Sequence, residues 1–194
     1  MSDFPFSGAI IAGGQSSRMG RDKAFLTVDG QTLVARQASL LREAGCAELI
    51  LSGRPEIDYG VPDARKVQDT ITGAGPMAGL AAALAAANHP WVLVLAVDLP
   101  RLNLDFLYRL LAVGGGRAGV VPHGPRGHEP LAALYPRALL AEAEAALAQK
   151  AFALHTLVER AETLGLITRW ELTPADAPLL ANCNTPEDWP SGPR

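Results

Sequence analysis

Two rhythms alternate along the chain. Short runs of unbroken apolar residues are separated by longer stretches in which apolar residues return every three or four positions. Residues 7–12 (SGAIIA) form a short apolar run that breaks at Gly13-Gly14, as a buried strand feeding a loop does. Residues 32–44 (TLVARQASLLREA) have helical spacing and stop before Gly45, a normal helix end. Residues 48–51 predict a second strand, and residues 75–87 an alanine-rich helix opened by Gly-Pro. Residues 91–97 (WVLVLAV) are continuously apolar and give the clearest strand of all. Beyond them the pattern predicts a helix over 104–112 capped by Asn103 and strands over 119–122 and 131–135. Helices over 137–149 and 152–164, a strand over 168–172 and a loop-rich, proline-bearing tail complete it. The apolar stripe of residues 138–164 is read as core packing.

Strands that alternate with helices and are apolar throughout predict a parallel sheet covered on both faces. The expected fold class is therefore α/β: a single-domain, Rossmann-like, three-layer fold with a mostly parallel sheet over residues 1–194. In such folds ligands bind beyond the carboxyl ends of the strands, so chemistry is sought in the segments that follow strands. A length of 194 residues suits one domain with a sizeable core.

Composition narrows the partners. The net charge is −3 and no long basic tract is present, which argues against an extended nucleic-acid partner. Cys46 and Cys183 have no CxxC spacing, so a zinc site or disulfide framework is not expected and a reducing, cytoplasmic setting is. The first residues lack the basic start and apolar stretch of a secretion signal. Residues 78–97 are nearly long and apolar enough to span a bilayer, but Asn88, His89 and Pro90 interrupt them. A helix followed by a buried strand, with no membrane contact, is the expected reading. His89, His123 and His155 have no ligand spacing.

The segment after the first strand carries the chemistry. Gly13, Gly14 and Gly20 permit a backbone that approaches a ligand closely, and successive N–H groups there can cradle phosphate oxygens. Arg18 offers a planar fork of donors and Lys23 a mobile charge. Together they suit a triphosphate and a departing pyrophosphate. The loop is neither GxxxxGK[ST] nor GxGxxG, so neither a Walker A loop nor a dinucleotide fingerprint is present. Read by residue chemistry alone, it is equally an ordinary glycine-rich turn flanked by two surface cations. Asp98, at the end of the clearest strand, sits where a carboxylate can hold Mg²⁺, or it simply starts a turn before Pro100.

Residues 11–23 (IAGGQSSRMGRDK) resemble the LAGGxSxRMGxxK signature of the molybdenum cofactor guanylyltransferases, with Ile11 in place of the leading leucine. These enzymes belong to the wider nucleotidyltransferase family. The resemblance continues at Asp69 with residues 75–79 (GPMAG), at Asp98-Leu99-Pro100, at residues 127–131 (GHEPL) and at residues 182–188 (NCNTPED). It implies catalytic roles for Arg18, Lys23 and Asp98, with Asp98 as the metal ligand. It also implies nucleotide contacts from Ile11, Ala12, Gly13, Gly14, Ser16, Lys23, Ser52, Asp69 and Asp98, and acceptor contacts from His128, Asn182 and Asn184. The implied reaction transfers GMP from GTP, with Mg²⁺, to Mo-molybdopterin, giving molybdopterin guanine dinucleotide and pyrophosphate. Transient contact with cofactor-biosynthesis proteins or recipient molybdoenzymes would follow. Related cytidylyltransferases tend to carry alanine where Gly13 stands, and glycine leaves room for the exocyclic amine of guanine. The match lapses over residues 149–160, where Lys150 and Arg160 are the candidate bases near an acceptor. The alternatives are a transferase using CTP or another phosphate acceptor, and a non-catalytic module that binds nucleotide and delivers cofactor. A nicotinamide-dependent oxidoreductase is disfavoured by the absent GxGxxG.

Overall fold

The computed structural model describes residues 4–13, 23–68, 71 and 73–182. In chain order the strands and helices are β1 (Phe6–Ile11), β2 (Thr27–Val28), β3 (Gln31–Thr32), α1 (Leu33–Glu43), β4 (Glu48–Ser52), β5 (Ala64–Val67), α2 (Pro76–Ala86) and β6 (Trp91–Ala96). They continue with α3 (Leu104–Val113), β7 (Gly119–Gly124), β8 (Gly127–His128), β9 (Ala132–Pro136), α4 (Leu140–Ala148), α5 (Leu154–Thr163) and β10 (Ile167–Glu171).

The main sheet runs β10-β7-β9-β6-β1-β4-β5, with β8 paired to β7. β1 is flanked by β4 and β6, both parallel to it, and all six of its residues are buried. Successive side chains of a strand point to opposite faces. Phe6 and Ile10 of β1 and Leu93 and Leu95 of β6 therefore join the core beneath α1 and α3. Ala9 and Ile11, with Val92 and Val94, join the core beneath α2, α4 and α5. The expected three layers are present.

β9 runs antiparallel to both β6 and β7, and β8 returns antiparallel on β7; the remaining pairings are parallel, so the sheet is mostly parallel, as expected. The reversal has a local cause. β7 turns back through Pro125 and Arg126, a loop far too short for the helical crossover that a parallel neighbour needs.

The short strands β2, β3, β5 and β8 and the start of α4 differ from the sequence expectation. β5 (ARKV) is an edge strand whose Arg65 and Lys66 are exposed, so it lacks an apolar signal and carries the charges that edges use against unwanted pairing. The β2–β3 hairpin turns on Asp29 and Gly30, which have φ of 51° and 79°. An Asp-Gly pair with both residues at positive φ suits the twist of a tight hairpin. The helix expected over 137–149 begins as a 3-10 turn, Arg137–Leu139, before α4.

The interruption at Asn88 is part of the fold. The Asn88 backbone N–H and side-chain amide donate to the two Glu48 oxygens at 2.6 and 2.7 Å, and the Ser7 hydroxyl donates to Glu48 at 2.6 Å. Partial burial pushes the Glu48 carboxyl up, but Ser7, Asn88 and Arg65 outweigh it and hold the group below its ordinary value. This knot ends α2 and starts β6 at the sheet edge opposite the candidate site. No described helix is long and apolar enough to cross a membrane.

Candidate active site

The site lies where β1, β4 and β6 end together. Ile11 is in register with Ser52 on one side and Ala96 on the other, and the Ala12 N–H donates to the Ser52 carbonyl at 2.8 Å. Ile11, Ala12 and Ser52 are buried and Gly13 is partly exposed. Ile11 packs with its side chain in the core, so at this point the chain offers backbone rather than side chain to a ligand. Beyond β6, Asp98 projects from the same edge.

Lys23 reaches this carboxylate. Its Nζ stands 3.4 Å from Asp98 Oδ2, and the two side chains are 23% and 22% exposed. Lys23 opens a 3-10 turn, Lys23–Phe25, and its carbonyl accepts from the Leu26 N–H at 3.0 Å. So two residues that lie 75 positions apart and were singled out from sequence meet at one sheet edge. An ion pair this accessible to water contributes only about 0–1 kcal/mol.

The wall beside Lys23 is aromatic. Phe25 stacks on Tyr59 with ring centroids 5.7 Å apart and planes at 3°. Tyr59 in turn lies against the chain leaving β4: a Cβ on Gly53 would fall 2.7 Å from the Tyr59 ring, so only glycine fits there without displacing it. The Tyr59 hydroxyl accepts from the Arg54 N–H at 3.1 Å, and Lys66 Nζ lies 5.8 Å from the ring centroid. Sequence reading missed this wall, because one Tyr in a polar loop has no periodic signal.

The opposite flank holds the acceptor-side candidates. His128 packs edge-on to His123 at 5.0 Å, and its Nδ1 is buried with no hydrogen-bond partner among the described residues. Burial pushes its pKa down; Arg169 and His123 add to that, and the result stands against the opposing pull of Glu162 and Glu159. A neutral ring at pH 7 can donate or accept one hydrogen bond per nitrogen but brings no charge to a phosphate. His128 lies at the end of β8, which pairs with β7 and leads into β9, the neighbour of the strand that ends before Asp98. Next to it, half-buried Glu129 has its carboxyl raised by burial, with Arg126 at 3.5 Å opposing. Arg126 also donates to the Leu180 carbonyl at 3.1 Å, tying the β7–β8 turn to the chain just before Asn182, which is exposed.

Of the two bases considered near the acceptor, Arg160 is committed elsewhere, in an ion pair with Glu142 between α5 and α4. Lys150 closes α4 in a left-handed conformation with φ of 57°, its N–H donating to Leu147. Gly14, Ser16, Arg18, Asp69 and Asn184 lie outside the described residues. Among the described residues no cluster of three or more His, Cys, Asp or Glu is arranged to hold a metal. Asp98 suits Mg²⁺, which takes one or two carboxylates and draws its remaining oxygens from phosphates and water.

Residues 8–164 match the family described as the MobA-like NTP transferase domain. A protein of Opitutus terrae named "Probable molybdenum cofactor guanylyltransferase" is 40% identical over 186 residues, covering 94% of this chain and 92% of its own length. The "Molybdenum cofactor guanylyltransferase" of Xanthomonas euvesicatoria pv. vesicatoria is 33% identical over 193 residues, covering 95% and 93%. Among solved structures, molybdopterin-guanine dinucleotide biosynthesis protein A from Archaeoglobus fulgidus is similar with a TM-score of 0.71 at 23% identity, covering 94% of each chain. That last likeness concerns the fold alone.

Proposed function

The chain belongs to the MobA-like NTP transferase family, and from that premise we propose that it transfers GMP from GTP to the phosphate of molybdopterin in its molybdenum-loaded form. The products are molybdopterin guanine dinucleotide cofactor and pyrophosphate. It is a nucleotidyltransferase, and enzymes of this family work with a divalent metal; we assign Mg²⁺. The whole chain, residues 1–194, acts as one domain, and its setting is the cytoplasm.

The observation that carries this reading is the meeting of Lys23 and Asp98 at the carboxyl edge of the sheet. Without nucleotide the two charges compensate each other. When the nucleotide enters, Lys23 turns to the phosphates, and Asp98 would be the residue to hold the ion. An oxygen of the acceptor phosphate then bonds to the α-phosphorus of GTP. The bond from that phosphorus to the bridging oxygen breaks, and pyrophosphate leaves with the electron pair. An ionised phosphate needs no general base, so the protein's task is placement and charge compensation. Bound Mg²⁺ would polarise the phosphates and offset their charge. Lys23 and Arg18 stabilise the leaving pyrophosphate, and the backbone from Ile11 through Gly14, with Ser16, lines the nucleotide. Ser52 and Asp69 complete the nucleotide side. His128, Asn182 and Asn184 serve the acceptor, His128 as a neutral hydrogen-bonding group.

A pyrophosphate-release assay over GTP, CTP, ATP and UTP, with and without molybdopterin, tests the proposal. Release with GTP, dependent on molybdopterin, is the expected result. Release with CTP in place of GTP would make the chain a cytidylyltransferase. Tight GTP binding with no release would make it a delivery module.

A further inference from the structure

Helix α1 begins just after the β2–β3 hairpin, with the Thr32 hydroxyl accepting from the Ala35 N–H at 3.3 Å. Leu33, Val34, Ala38 and Leu41 form its buried stripe. Gln37 falls on that stripe and is fully buried. A buried amide is costly unless it is hydrogen-bonded. Gln37 meets that demand only in part. Its Nε2 donates to the Leu99 carbonyl at 3.0 Å, whereas its Oε1 is buried with no hydrogen-bond partner among the described residues. A leucine would extend the stripe and leave no orphan acceptor. What the amide adds is the single bond to Leu99.

Leu99 directly follows Asp98. Its carbonyl also accepts from the Leu102 N–H at 3.2 Å, which closes the turn that carries Asp98 away from β6. Arg36, next to Gln37, donates to the Leu102 carbonyl at 3.4 Å. So α1 grips both ends of this turn. The same helix holds the other partner of the ion pair: the Leu33 N–H donates to the Leu26 carbonyl at 2.8 Å, and the Leu26 N–H donates to the Lys23 carbonyl at 3.0 Å. One helix thus fixes both Lys23 and Asp98.

We infer that Gln37 is a positioning residue for Asp98, locking the turn behind the carboxylate so that it meets a nucleotide-bound divalent ion at a fixed place relative to Lys23. The inference rests on the reading of Asp98 as the metal-side carboxylate. Gln37 touches neither nucleotide nor ion; it acts through the Leu99 carbonyl.

The test compares Gln37→Leu, Gln37→Met and Asp98→Asn with the unmodified protein. Mn²⁺ binding in the presence of GTP is read from the loss of the free-ion EPR signal, and Tm is measured without ligands. In both Gln37 variants the Mn²⁺ dissociation constant should rise about three- to tenfold, because charged ligands must be held in place to a fraction of an ångström. Tm should shift little, since the lost hydrogen bond is offset by removal of the orphan acceptor. GTP binding without divalent ion should be unchanged. An unchanged Mn²⁺ constant in the folded Gln37 variants, while Asp98→Asn loses the ion, overturns the inference alone. Mn²⁺ binding by Asp98→Asn at the normal strength overturns the metal-side reading and the inference with it. Failure of both Gln37 variants to fold would assign the residue to stability and also overturn it.

Discussion

Replacing Lys23 with alanine should cut pyrophosphate release by about 10²–10³-fold, the range found when one pre-placed group facing developing charge is removed. The negative charge in this reaction accumulates on the departing pyrophosphate, and Lys23 is the described cation at the sheet edge where that group must sit. The fold should survive. Lys23 lies in a short turn at the surface of the site, and its ion pair with Asp98 is accessible enough to water to contribute about 0–1 kcal/mol. The core beneath the turn, Ala24 against α1, is untouched by the change. The expected pattern is therefore normal circular dichroism and Tm with a large loss in kcat. Lys23→Arg, which keeps the charge on a longer and planar group, should recover part of the rate. Unchanged turnover in Lys23→Ala would remove the residue from the mechanism.

Asp98→Asn should raise the half-saturating Mg²⁺ concentration by at least about tenfold and lower turnover by about 10²-fold at ordinary Mg²⁺. Asparagine has nearly the same shape and keeps one oxygen, so packing is conserved while the charge that attracts the ion is gone. Lys23 then faces an amide in place of a carboxylate and keeps its charge for the phosphates, so nucleotide binding without metal should be preserved or strengthened. That split separates a metal-side carboxylate from a merely structural one. A metal titration that matches the unmodified protein would rule out Asp98 as a ligand.

Much of the frame was legible in the sequence. β1, β6 and α1 announce themselves because they are either apolar throughout or apolar on one helical stripe. The direction of β9 was not legible: an apolar strand reads the same whether its neighbours run with it or against it, and only the two-residue turn at Pro125-Arg126 fixes the reversal. β5 escaped because an edge strand with two adjacent exposed charges, Arg65 and Lys66, and no buried residue looks like loop. Asn88 was read correctly as a break, but its tie to Glu48, forty residues away in sequence, needed three dimensions.

The site shows the same division. The pairing of Lys23 with Asp98 follows from rules already present in the chain, a cation after one strand and a carboxylate after another on a shared edge. Gln37 was within reach of the sequence too, as a polar residue on an otherwise apolar stripe, though its partner was not. Arg160 was considered near the acceptor; it pairs with Glu142, eighteen residues away, across the short connection between α4 and α5, which a linear pattern does not show. His128 was legible as a position but not as a chemistry: burial, with a second histidine and Arg169 nearby, pushes its pKa down, which no linear pattern reveals.

The most direct measurement is anomalous diffraction from crystals of the protein with Mn²⁺ and a non-hydrolysable GTP analogue. The account predicts an anomalous peak at about 2.0–2.2 Å from an Asp98 carboxylate oxygen, with the phosphates along the Ile11–Gly14 backbone and Lys23 turned from Asp98 toward them. A triphosphate bound elsewhere, or a manganese peak with Asp98 outside its coordination shell, would contradict it.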